Sequence, residues 1–225
     1  KTPEKYFLTW KEDMGIRNRL DNHLYAMCKK EKLLELIHDF IVFDSGKKKM
    51  PRHSQYFGVK AAQEHLRRRE GGIIWHSQGS GKSLMMIWLA KWIKENIDDS
   101  RVLIITDRDE LDEQIEGFFF GVDEKIYRTK SGRDLIKTLD EAEHSLICSL
   151  IHKFGRRDQS NSDDDYFNEL LSNVYKNFRA KGDLYVFVDE CHRTQSGKLH
   201  EAMKKIVPNA VTIGFTGTPL LNKDK

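Results

Sequence analysis

The stretch Gly72-Ile-Ile-Trp-His-Ser-Gln-Gly-Ser-Gly-Lys-Ser83 carries an apolar run into a glycine-rich loop that closes on Lys82 and Ser83. Residues of these types in this order bind phosphate. Gly79 and Gly81 let backbone N–H groups curl around phosphate oxygens, and a following helix presents the positive end of its dipole. Lys82 is placed to reach the outer phosphates of a nucleoside triphosphate and the Ser83 hydroxyl to hold Mg2+, with Gln78 and Ser80 completing the loop. The full pattern has a further glycine five residues before Gly81, where this chain has His76, so only the Gly79-Ser-Gly-Lys-Ser83 half is intact.

Two further segments carry groups suited to the same chemistry. Leu184-Tyr-Val-Phe-Val-Asp-Glu190 is a short apolar run ending in two carboxylates, which in an α/β sheet stand at a strand's carboxyl end, where ligands bind. Asp189 there completes a Mg2+ shell through water, and Glu190 orients and deprotonates an attacking water. Alone, the pair reads equally well as a solvated acidic turn. Val211-Thr-Ile-Gly-Phe215 leads into Thr216-Gly-Thr-Pro219, two hydroxyls on a tight turn.

Positioning these groups requires strands that all end at one edge. Strand-like runs fall near Ile73–His76, Val102–Thr106, Leu146–Ser149, Leu184–Val188 and Val211–Phe215, alternating with helical patterns from Gln55 onward. Such alternation predicts an α/β fold, a parallel sheet with helices on both faces. Residues 1–50 read as a short helical N-terminal segment, apolar at Leu20, Leu24 and Met27 and again across Leu33 to Phe43, expected to pack onto the remainder. A polar linker is expected from Asp44 to Pro51, and an exposed loop from Arg156 to Asp165. There are no internal repeats.

Together these segments resemble a superfamily-2 helicase/translocase: a Gly-Ser-Gly-Lys-Ser motif I, Asp189-Glu-Cys-His192 as a motif II of the DEAD/DExH type, and Thr216-Gly-Thr218 as motif III. In that superfamily the first glycine of the loop is often absent, which accounts for His76. His53-Ser-Gln55-Tyr-Phe-Gly-Val-Lys-Ala-Ala62, Ile105-Thr-Asp-Arg-Asp-Glu-Leu-Asp-Glu-Gln114 and the continuation Arg193-Thr194-Gln195 narrow the resemblance to the restriction (R) subunit of Type I restriction-modification enzymes. It runs from about Trp10 to the end of the chain.

The resemblance implies a first RecA-like motor domain over 51–225, part of a longer chain, that uses ATP and Mg2+ to translocate duplex DNA before endonucleolytic cleavage. It also implies modification and specificity subunits as partners and a bacterial or archaeal cytoplasm as location. Gln55 takes the place of the glutamine that reads the adenine edge, for which an amide has a paired donor and acceptor. His192, Thr216 and Thr218 take the places that couple hydrolysis to domain movement. Arg108 and Lys153 fall in segments that face the nucleic-acid track; Asp107, Arg108 and Asp109 fit helix capping equally well, and Lys153 an ordinary polar strand end. Such motors work in a cleft between two RecA-like domains. These 225 residues are therefore expected to act as a fragment, binding nucleotide weakly and neither translocating nor cutting DNA alone. Another superfamily-2 DNA or RNA helicase, or a nucleotide-gated assembly module without turnover, are the alternative readings.

Composition bounds these readings without selecting among them. With 225 residues and 39% hydrophobic content the chain suits one sizeable α/β domain, and no apolar stretch is long enough for a membrane span. The net charge of +3 means that DNA binding must rest on local patches. Lys47-Lys48-Lys49 and Arg67-Arg68-Arg69 are the candidates, and both read first as solvated faces. Three widely spaced cysteines, Cys28, Cys148 and Cys191, form neither a disulfide framework nor a zinc motif. The chain starts with Lys and lacks a signal-peptide pattern, as expected of an excised piece of a larger protein.

Overall fold

A computed structural model describes residues 10–44, 46–106, 126–150, 170–176, 178–189 and 196–217. Six strands, β3 (Gly72–Trp75), β4 (Ser100–Thr106), β5 (Ile126–Arg128), β6 (Leu146–Leu150), β7 (Asp183–Asp189) and β8 (Val211–Thr216), form one sheet of order β3-β8-β7-β4-β6-β5. Every pairing in it is parallel. The five expected strands are all present, and β5 is an addition.

Parallel strands buried on both faces need apolar side chains in continuous runs, and β4 and β7 show this division. Val102 and Ile104 with Tyr185 and Phe187 point into one core cluster. Leu103 and Ile105 with Leu184, Val186 and Val188 point into the other. The first core is roofed by α3 (His53–Arg67) and α4 (Lys82–Asn96), the second by α5 (Gly132–Glu141) and α6 (Ser196–Ile206). Helix α4 buries Met85 through Ala90 together with Trp92 and Ile93, the pattern of a helix enclosed on nearly every side.

The N-terminal segment forms α1 (Arg19–Cys28) and α2 (Lys30–Glu35), followed by a π-helical turn over Leu36–Phe40. It packs onto the first core as expected, because Trp10, Ala26, Leu36, Phe40 and Val42 share a cluster with α3 and α4. Glu35 fastens it, accepting hydrogen bonds from the Tyr56 hydroxyl and the Lys60 ammonium. The apolar pattern of α1 is not wholly spent on this contact: Leu20 and Leu24 remain 66% and 52% exposed. The end of the run read as helical, Val42–Phe43, and the expected linker from Asp44 together hold an antiparallel hairpin, β1 (Val42–Asp44) with β2 (Lys47–Lys49), turned at Gly46 with φ +76. A lysine run suits an exposed short strand, since like charges discourage edge pairing with other chains.

At the far border of the sheet, β3 is an edge strand whose Ile73 and Trp75 are 64% and 63% exposed. Among the described residues no helix is long and apolar enough to cross a membrane.

Candidate nucleotide site

The carboxyl ends of β3, β8 and β7 lie side by side. Trp75 is in register with Thr216, and Phe215 with Asp189, so successive chain ends stand about 4.8 Å apart across the ladder. The loop that follows β3 begins with a continuation of that ladder, His76 N–H donating to Thr216 O at 2.9 Å. It then turns at Gly79 (φ +70) and Gly81 (φ +82), conformations that glycine adopts without steric cost. Gly81 is the N-cap of α4 and no side chain caps that helix, so the positive dipole end is directed at the loop's concave side. Lys82 and Ser83 are its first two residues. Gln78 and Gly79 are exposed, and Ser80 and Ser83 are half-buried.

Two observations fit this loop to a polyanionic ligand. The Ser80 Oγ is buried and has no hydrogen-bond partner, an unmet polar atom at the place where phosphate oxygens would accept. The Thr216–Gly217 turn abuts the loop: a Cβ on Gly217 would come within 3.1 Å of Gln78 Cγ and 3.5 Å of Lys82 Nζ. Gly217 thus belongs to the site although the sequence reading singled out only the two threonines around it. Trp75 Nε1 donates to Gly217 O at 3.1 Å and fastens the turn to β3.

Asp189 is 4% exposed and Thr216 fully buried. The buried Asp189 carboxylate and the Ser83 hydroxyl are hard oxygen donors of the kind Mg2+ takes alongside substrate phosphates. Gln55 lies against the underside of the loop. It is 3% exposed at the third position of α3. Its Oε1 accepts from Arg52 N–H at 2.7 Å, and its Nε2 donates to Ser80 O at 2.7 Å and Gly81 O at 3.3 Å. One amide therefore ties the start of α3 to the underside of the phosphate loop. The signal in the sequence was the spacing Arg52 to Gln55, since an amide at the third helical position commonly reaches back to the N-cap N–H.

Glu190, His192 and Thr218 lie outside the described residues, as do Arg108, Lys153, the Arg193-Thr194-Gln195 continuation and the Arg156–Asp165 stretch. The basic run Arg67–Arg69 is engaged within the fold. Arg67 pairs with Glu64, Arg68 with Glu70, and Arg69 with Asp183.

A glycine loop entering a central helix, a buried aspartate and a threonine-glycine turn at adjoining strand ends define a RecA-like P-loop domain of the superfamily-2 motor type. The sequence pattern of the SWI2/SNF2 ATPase family matches residues 54–225, and the chain belongs to that family. Among similar proteins is a putative Type I restriction enzyme endonuclease subunit (MjaIXP) of Methanocaldococcus jannaschii, 32% identical over 92% of this chain and 20% of its own length. The HindI Type I endonuclease subunit of Haemophilus influenzae is 29% identical over 92% of this chain and 22% of its own. The chain thus spans about a fifth of the length of these relatives. The fold is shared with the Sulfolobus solfataricus SWI2/SNF2 ATPase core in complex with dsDNA, at 16% identity and TM-score 0.56 over 84% of this chain and 35% of that one. The UvsW helicase of bacteriophage T4 shares it at 16% identity and TM-score 0.55, over 84% and 60%.

Proposed function

We propose that this chain is the ATP-hydrolysing first motor domain of a Type I restriction endonuclease subunit, driving movement along duplex DNA within a complex that includes modification and specificity subunits. The observation that carries the reading is the convergence of the phosphate loop, Asp189 and the Thr216–Gly217 turn at three neighbouring strand ends. The endonuclease-subunit relatives supply the setting.

In this reading Lys82 and the first turn of α4 hold the β- and γ-phosphates, and Gly217 lets the turn lie close against Gln78 of the loop. Mg2+, held by Ser83 and through water by Asp189, would neutralise charge on the transferred phosphoryl group. Glu190, next to Asp189, takes the proton of the attacking water. Thr216 and Thr218, with His192, relay loss of the γ-phosphate to the neighbouring motor domain, and Arg108 and Lys153 contact the DNA backbone. For Gln55 to read an adenine edge, its amide must leave the loop carbonyls that it now holds. Base recognition and loop release are then a single event.

The test is ATP hydrolysis by the full-length protein with no nucleic acid, with duplex DNA and with duplex RNA. Stimulation by duplex DNA that disappears in Lys82→Ala supports the reading. Glu190→Gln is expected to retain ATP binding and lose turnover; unchanged turnover would remove Glu190 from its role. Stimulation confined to RNA would assign an RNA helicase, and binding without turnover a nucleotide-gated module.

A further inference from the structure

At the end of the sheet opposite the phosphate loop, a cleft of about 540 Å³ opens between residues 174–176 and 178–180, the start of β7, the end of α6 and the turn at 208–210. Its floor is apolar: Val174 and Phe178 line it together with Ile206 and Val207, all of them continuous with the second core. Its rim is cationic. Lys176, Arg179 and Lys205 line it, all three are exposed, and none has a carboxylate partner among the described residues. The single carboxylate in the lining, Asp183, is already neutralised by Arg69 at 2.6 Å.

The walls are fixed before anything binds. Arg69 joins the end of α3 to Asp183 and to Asn209 O, while Arg101 holds Lys181 O at 2.9 Å from behind. Gly182, at φ +78, packs so closely that a Cβ there would lie 2.7 Å from Arg101 Cδ. A preformed cleft loses little ordering entropy on binding.

A ligand that complements this surface needs apolar groups for the floor and carboxylates for the rim. A duplex presents phosphates but keeps its apolar faces stacked inside, so it would meet the cations and leave the floor wet. An acidic peptide segment with a central hydrophobic anchor satisfies both, with the anchor excluding water and the rim setting orientation and encounter rate. We propose that this cleft is a docking site for an acidic, apolar-anchored segment of a separate protein subunit. Its position at the amino ends of β7 and β8 lets the partner bind without competing for nucleotide.

The experiment measures binding of a short fluorescein-labelled peptide, Glu residues flanking a Leu-Phe pair, to the full-length protein by anisotropy. The same peptide with Gln for Glu, and a labelled duplex oligonucleotide, are the comparisons. The expected result is saturable binding of the acidic peptide only, weakened at least about tenfold in the Lys176→Glu/Arg179→Glu/Lys205→Glu variant. All three are exposed side chains, and ATP binding and thermal unfolding of that variant check that the fold is kept. No peptide binding, or peptide binding indifferent to the charge reversal, would overturn the proposal. Charge-reversal-sensitive binding of duplex DNA without peptide binding would overturn it in favour of a nucleic-acid surface. Peptide binding only after Asp163, Asp164 and Asp165 are replaced by Asn would overturn it in favour of the chain's own acidic stretch.

Discussion

Replacing Gly81 with Ala tests whether the phosphate loop is braced from beneath by Gln55. Gly81 has φ +82, a left-handed conformation that costs an alanine about 1–2 kcal/mol. The new Cβ would also sit 2.5 Å from Gln55 Nε2. The end of a loose glutamine would swing aside at little cost, but this one is buried and holds Ser80 O and Arg52 N–H, each at 2.7 Å. Displacing it leaves at least one buried polar group unmet, adding about 1–3 kcal/mol. Gly81→Ala alone is therefore expected to destabilise by about 2–5 kcal/mol. Gln55→Ala removes both the bonds and the obstacle, so in that background Gly81→Ala should cost only the left-handed term, about 1–2 kcal/mol. Urea unfolding of the wild type, the two single variants and the double variant measures the coupling, expected at about 1–3 kcal/mol. Additivity within about 0.5 kcal/mol would refute the brace.

Arg101 is buried, and burial pushes its guanidinium below the usual arginine range with partial compensation from Asp99. Its N–H groups go to the carbonyls of Thr138, Leu139, His144 and Lys181, so Arg101→Met is expected to cost about 3–5 kcal/mol in denaturant unfolding. Arg101→Lys should recover less than half of that, since an ammonium lacks the planar fork. Burial alone would raise the Glu35 pKa, but the bonds from Lys60 and Tyr56 and the charges of Lys60 and Lys32 prevail and hold it below 4.5. A depressed carboxylate stabilises the fold above its unfolded pKa and ceases to do so as pH falls through the folded value. Glu35→Gln should accordingly lower the urea midpoint near neutral pH, and the difference from wild type should close as pH drops below 4.5. A difference that persisted in acid would remove the ionic contribution.

The glycine loop was legible because its chemistry demands particular residues: positive φ at Gly79 and Gly81 leaves few alternatives. The core strands were legible because a sheet buried on both faces requires unbroken apolar runs such as Val102–Ile105 and Tyr185–Val188. β5 was not, having only three half-buried residues at the sheet border. The β1–β2 hairpin was hidden because Lys47–Lys49 reads as charge whether or not it pairs. Sequence named Gln55 but not its direction, since an amide suits a base edge and a loop carbonyl equally. The Arg69–Asp183 clasp joins residues 114 positions apart, and nothing local in the chain announces it. The periodicity of α1 marked a helix correctly, yet Leu20 and Leu24 show that an apolar stripe need not be covered by the residues around it.

Three of the four tryptophans, Trp10, Trp88 and Trp92, are at most 6% exposed, whereas Trp75 stands 63% exposed with its indole N–H on Gly217 O. The protein therefore carries an optical probe at the seam between the phosphate loop and the Thr216–Gly217 turn. Emission collected on its long-wavelength side weights an indole in water over three in apolar surroundings, and collisional quenching by iodide reaches the first and not the others. A shift of that turn against β3 during a catalytic cycle would break or remake the bond to Trp75. The seam can be followed in real time by its own emission, without attaching a label.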